Sequence, residues 1–310
     1  MEKLAMGWLA DSPDFRDFTA ETPEVKALLQ NVSALSKRVS KTKGSAASTV
    51  DAPVSLPVIV DLRAFCSPIE DQGGIGSCTA NAGVGMLEYF ERKAFGNHVD
   101  ASRLFLYKTT RNLLHWSGDT GAYLRTTMKA MAMVGVCPED YWSYSDSMVV
   151  PMGSSVAPFD MEPSAFCYAL GENYKAATYY RLDPLGTPFP NVLANIKNYL
   201  AAGLPSMFGF TVYQSYSTAG ANQGKFPFPA ITERVMGGHA VVAVGYNDNM
   251  VITNPLGGPT TTGAFLIRNS WGTSWGTAGY GWIPYEYVLK GIATDFWSLI
   301  KADYINTGNF

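Results

Sequence analysis

Three short stretches of this 310-residue chain hold residue types that cooperate in nucleophilic chemistry. They are Cys78 in Gln72-Gly-Gly-Ile-Gly-Ser-Cys78-Thr-Ala, His239 in Gly-Gly-His239-Ala, and Asn269 in Asn269-Ser-Trp271-Gly. A thiol attacks only as its thiolate, so it needs a proton acceptor beside it, and an imidazole acceptor needs a third group to fix its tautomer. Cysteine, histidine and asparagine fill those roles in that order. The three stretches lie far apart along the chain, so only folding can join them. A lone cysteine at a helix start is more often inert packing; the histidine and asparagine motifs reverse that weighting.

The elements that must position these groups are legible from periodicity. Ala82, Leu87, Phe90 and Ala94 recur at near-helical spacing after Cys78 until Gly96-Asn97, so Cys78 is expected to open a helix. Amide groups and the dipole at a helix start favour negative charge, and a protonated His239 nearby adds to the effect. A lowered Cys78 pKa is therefore expected. Residues 102–114, 124–134 and 192–202 also read as helices. His239-Ala-Val-Val-Ala-Val-Gly-Tyr246 and Gly263-Ala-Phe-Leu-Ile-Arg-Asn269 are apolar runs of strand length, and Tyr280 to Val288 adds strand-like sequence with Pro284 marking an edge. A mainly helical lobe (about 60–150) followed by a mainly β lobe (about 151–300) follows, with the active site in the cleft between them.

Residues 1–55 stand apart. Thr22-Pro23-Glu24 is a helix start, and Val25, Leu28, Leu29, Val32 and Leu35 form an apolar stripe over an amphipathic helix at about 23–40. A linker over 41–55 follows, of the exposed, polar, small-residue kind where proteolytic nicking concentrates. The N-terminal extension reads either as a short prosegment docked on its own catalytic domain, 56–310, until cleaved, or as a permanent structural extension.

Taken together, the motifs resemble those of the papain-like cysteine peptidases. Gln72 matches the family's glutamine six residues before the nucleophile, Gly76-Ser77-Cys78 its elbow and His239-Ala240 its strand start. The stretch from Asn269 to Gly281 is similar to the family's Asn-Ser-Trp-Gly signature. The resemblance covers roughly residues 57–300. It implies an α+β, two-lobed fold with a helical lobe and an antiparallel β-barrel-like lobe, and a thioacyl-enzyme mechanism. Cys78 would be the nucleophile, His239 the acid and base, Asn269 the orienter, and Gln72 a donor to the oxyanion. It further implies that Trp271 shields the His239 to Asn269 bond and Trp275 lines the leaving-group side. Gly121, Tyr123, Leu124 and Ala240 would line the pocket for the residue two before the scissile bond. Asp295 falls either at that pocket's base, where an acid would welcome arginine or lysine, or in a solvated turn.

Departures from the family pattern are specific. Ile75 and Asp119 stand where secreted and lysosomal members carry a bridged cysteine pair, Thr79 replaces the usual aromatic residue, and the long helical pro-region is missing. Setting Cys78 aside leaves Cys66, Cys137 and Cys167, an odd remainder that reads as small buried hydrophobes in a reducing compartment. With three histidines and no Cys-x-x-Cys, neither a zinc site nor any cofactor is expected. A net charge of -3 gives no footprint for nucleic acid or an anionic membrane. With no spanning apolar run and no signal-like start, a cytoplasmic location is expected for the chain as written. The partner expected is a peptide or protein substrate. Two other functions use the same residues: an amidase or transglutaminase-like acyl transfer, and peptide binding without catalysis.

Overall fold

The computed structural model describes residues 5–30, 56–176, 178–220, 222–302 and 305–306. Helix α1 occupies residues 23–30. The rest of the expected helix, and the linker over 41–55, lie outside the described residues. Helices α2 (Cys78–Phe95), α3 (Arg103–Leu113) and α4 (Leu124–Met133) then form the helical lobe. α2 ends where expected, with Gly96 in the left-handed region at φ 76° donating its N–H to the Arg92 carbonyl. α3 is capped by Ser102, whose side chain accepts the Phe105 N–H.

After α5 (Ala165–Gly171) come strand β2 (Thr178–Arg181) and α6 (Phe189–Ala201), then β3 (Ser206–Tyr213), the one-turn α7 (Tyr216–Ala219) and β4 (Val235–Ile252). β5 (Thr261–Arg268), β6 (Tyr280–Pro284), α8 (Glu286–Leu289), β7 (Ala293–Ala302) and β8 (Ile305–Asn306) complete the chain. The sheet runs β2-β7-β3-β4-β5-β6, and every pair is antiparallel. β2 and β6 are opposite ends of that order, so the sheet is open and the expected barrel-like closure is absent. Pro284 ends β6 at the sheet edge, where a residue without an N–H is tolerated. Beyond it the strand-like reading fails, because Glu286–Leu289 coils into a helical turn.

β4 is the spine of the second lobe. Its residues 239–246 are all buried, which is why the sequence there is almost continuously apolar. β1 (Ile59–Asp61), ahead of Cys78, pairs with β4, so a strand from the first half of the chain completes the second lobe. α2 packs directly against β4. Arg268 of β5 crosses between lobes to Ser67 Oγ (2.9 Å) and the Pro68 carbonyl (2.5 Å), and a Cβ on Gly85 of α2 would collide with its guanidinium. That close approach seats the middle of α2 against the sheet. Val25 of α1 is fully buried, and Leu28 and Leu29 pack on the same core, so the extension's apolar stripe has a partner in this chain.

Candidate active site

Cys78 is the first residue of α2 and fully buried, with the backbone amides of Ala240, Gly7, Thr79 and Cys78 itself favouring the thiolate. Contact with Ala240 puts the sulfur beside the residue that follows His239. Burial nevertheless pushes the thiol up to about 11, against the expectation of a lowered value. Desolvation of the charged form here outweighs the amide donors, and the neighbouring imidazole carries no charge to offset it.

His239 is also fully buried, which drives its pKa down to about 4, partly opposed by Asn269. Its Nε2 lies 2.8 Å from Asn269 Oδ1. That same oxygen accepts the Ser270 N–H at 2.8 Å, which identifies it as the oxygen of the amide. Nε2 must then be the donor, and a neutral ring carries its lone pair on Nδ1. Nδ1 is buried without a hydrogen-bond partner, so the thiol–imidazole link is not formed in this state. Trp271 stacks on the imidazole at 4.3 Å between centroids and 21° between planes, with Trp275 edge-on to Trp271 at 5.4 Å. Trp271 thus covers the imidazole, while Trp275 packs on Trp271 and not on the ring.

Gln72 is held from both ends. Its Oε1 accepts the Ser270 hydroxyl at 2.6 Å, and its Nε2 donates to the Ile75 carbonyl at 3.0 Å and the Ala5 carbonyl at 3.2 Å. Tyr144 braces the elbow by donating to the Gln72 carbonyl (2.8 Å) while its oxygen sits 2.6 Å from Ser77 Oγ. Asp119 accepts the Gly76 N–H at 2.8 Å and the Tyr107 hydroxyl at 2.6 Å, tying the 118–122 loop to the elbow without a covalent bridge. All four cysteines are buried and free.

The cleft is filled by the chain's own N-terminal segment. The Ala5 carbonyl sits against Gln72 and, at 3.4 Å, Trp271 Nε1; the Trp8 N–H donates to the Gly238 carbonyl at 3.0 Å. Ala122 donates to the Gly7 carbonyl (2.8 Å) and accepts the Leu9 N–H (3.1 Å). A Cβ on Gly7 would collide with the Gly76 carbonyl, so only glycine passes the elbow here. Trp8 fills a pocket floored by Gly209 and Asp295: its Nε1 donates to Asp295 Oδ2 at 3.2 Å, and its ring occupies the space a Cβ on Gly209 would need. Beyond the pocket, Arg125 pairs with Asp11 and with Asp17 (2.7 Å), and Arg181 with Asp17 at 3.4 Å.

Among the expected pocket residues, Gly121 and Ala240 border the cleft; Gly121 has φ 72°, and a Cβ there would strike the Gly7 carbonyl. Tyr123 packs on Trp116 (5.4 Å) and Leu124 is buried in the core at the start of α4. The backbone contacts expected of their neighbourhood fall on Ala122, which sequence reasoning missed, as it missed Gly238 and Gly209. These residues act through a carbonyl, an amide or a missing side chain, and none of those leaves a signal in residue type. Asp295 is fully buried at φ 65°, which rules out a solvated turn. Burial raises its pKa to about 7.

The family model described as papain family cysteine protease matches residues 56–298, and the chain belongs to that family. It is therefore a cysteine-type peptidase by family, a hydrolase acting on peptides or proteins. An uncharacterized peptidase C1-like protein of Acanthamoeba polyphaga mimivirus is 32% identical over 98% of this chain and 89% of its own length. A cathepsin B-like protein of Giardia intestinalis is 26% identical over 90% and 85%. The crystal structure of xylellain, a cysteine protease from Xylella fastidiosa, superposes with a TM-score of 0.70 at 33% identity, covering 96% of each chain.

Proposed function

We propose that this chain is a cysteine endopeptidase made in a latent form, in which residues 5–30 occupy the cleft until they are displaced. The observation that carries this reading is the N-terminal segment lying across the candidate catalytic groups, with Ala5 on Gln72 and Trp271 and Gly7 on the elbow. Gly7 lies against the elbow beside Cys78, and its carbonyl oxygen is held by the Ala122 N–H. The second N–H of the Gln72 amide is engaged by Ala5. The cleft also accepts an extended chain along its length, from Ala5 past Leu9 to Asp11 and Asp17. A groove that holds backbone over several consecutive residues suits cleavage within a chain.

With the segment gone, water and substrate reach the thiol, and its pKa falls as the desolvation is relieved. His239 Nδ1, held with its lone pair free, takes the Cys78 proton. The thiolate attacks the peptide carbonyl, and the developing oxyanion is met by Gln72 Nε2 and the Cys78 N–H at the helix start. The imidazolium returns its proton to the leaving amine, and a water deprotonated by His239 then hydrolyses the thioester. Casein and dipeptide assays of the native chain beside Cys78→Ala, with a thiol-directed epoxide as active-site label, test the reading. Hydrolysis lost in the variant and a single adduct on Cys78 are expected; equal hydrolysis by both proteins would overturn it.

A further inference from the structure

The pocket that holds Trp8 has a chemistry of its own. Among the described residues Asp295 is the acid that hydrogen-bonds the occupant, and that carboxylate is already shared: Oδ1 accepts Trp297 Nε1 at 2.7 Å and lies 3.2 Å from Arg181 Nη1. Only Oδ2 points to the occupant, where it accepts one indole N–H. Behind it, Asp183 accepts the backbone N–H groups of Asp295 (2.7 Å) and Phe296 (2.9 Å) and pairs with Arg181 Nε at 3.0 Å. Arg125 and Arg181 both lie over the Trp297 ring, at 5.9 and 5.2 Å. Once Asp11 and Asp17 leave with the segment, two guanidinium groups face two carboxylates. The floor is then electrically balanced, and a cation entering would gain little Coulomb attraction while losing its hydration.

Shape points the same way. Gly209 leaves room for a ring lying flat on the sheet, and Gly238 lacks the Cβ that would meet Trp8 Cε3. A wide, flat slot ending in one directional acceptor fits an aromatic ring bearing an N–H. Ala122 and Gly238 hold the backbone of whichever residue sits there, so the slot is presented to substrate as it is to Trp8.

We infer that Asp295, neutralised by Arg181, makes this pocket select a tryptophan side chain in the substrate and discriminate against arginine and lysine. Trp8 is then an internal copy of the side chain the enzyme recognises. For its turnover arm the inference rests on the peptidase reading; the binding arm stands without it.

The test uses the full chain carrying Trp8→Ala, which empties the slot, and the same chain with Cys78→Ser added for binding. Blocked peptides differing only in Trp, Leu or Arg at the position paired with Ala122 are compared by calorimetry and, as fluorogenic amides, by kcat/KM. Tryptophan is expected to exceed leucine by about tenfold and arginine by more, and Asp295→Asn is expected to alter the tryptophan-to-leucine ratio. As a check independent of added peptides, Trp8→Arg in the otherwise native chain is expected to unseat the segment and raise activity. Arginine bound or cleaved as well as tryptophan, or a Trp8→Arg chain as latent as the native one, would overturn the inference. Tryptophan-selective binding without hydrolysis of any peptide would support the pocket's chemistry and sink the peptidase reading alone.

Discussion

Asn269 governs its neighbour through which of its atoms is already engaged. Because Oδ1 accepts the Ser270 N–H, it can only accept from His239, and the other ring nitrogen keeps its lone pair free. Gln72 is fixed in the same way by Ser270 Oγ, with one N–H on the Ile75 carbonyl and the other reaching the cleft at Ala5. Gln72→Glu keeps this shape and removes the donors; kcat is expected to fall about 100- to 1000-fold with KM little changed, measured on any cleaved peptide. The thiol makes a second residue-scale prediction. Its folded pKa of about 11 exceeds the ordinary 9, so the stability it contributes is present below pH 9 and lost as pH rises toward 11. Alkylation of Cys78 in the intact chain should accelerate with a midpoint near pH 11, and after displacement of residues 5–30 with a midpoint far lower. A midpoint below 9 in the intact chain contradicts the burial argument. Cys78, His239, Asn269 and Gln72 were legible as candidates because each is a side chain within a local motif. Ala122, Gly209 and Gly238 were not, and the depth at which Asp295 lies depends on neighbours more than 100 residues away, as Asp183 shows.

At the scale of elements, two devices replace what relatives achieve with longer or covalent parts. The 118–122 loop is tied to the elbow by Asp119, standing at one of the two positions where secreted relatives are bridged. Asp119→Ala is expected to cost about 1 kcal/mol, lowering Tm by about 2–4 °C, readable by differential scanning calorimetry. The segment passes the elbow at Gly7, where no side chain fits. Gly7→Ala is expected to unseat residues 5–9 and raise the hydrolytic rate of freshly purified full chain; an unchanged rate would mean the segment does not restrain the site. Helix ends were readable from Gly96 and Ser102, and β4 from its buried apolar run. Closure of the sheet was not, because it depends on whether β2 and β6 meet, and pairing between strands so distant leaves no local trace. Glu286–Leu289 misled for a related reason: past Pro284 the apolar residues Tyr287 and Val288 are buried by a helical turn as well as a strand would bury them.

Across the whole molecule, the helical lobe supplies the thiol, the sheet supplies the imidazole and carboxamide, and the N-terminal segment is bound by both. It takes backbone bonds from Ala122 on one side and Gly238 on the other, and Arg125 and Arg181 grip its acids. Burial of Cys78 and His239 beneath it keeps both neutral, so the latency we propose and the absence of a thiolate–imidazolium pair would have one cause. The sequence showed a docking stripe and a tether ahead of the catalytic domain; the contacts of Ala5, Gly7 and Trp8 could not be read there, because their meaning lies in the surface they cover. The most direct measurement is the rate at which a thiol-directed epoxide labels Cys78, followed by mass spectrometry together with the integrity of the N-terminus. Intact chains should label slowly, and chains cut ahead of residue 57 should label fast and hydrolyse peptide in proportion. Equal labelling of intact and cut chains, or hydrolysis that continues with Cys78 replaced by alanine, would contradict it.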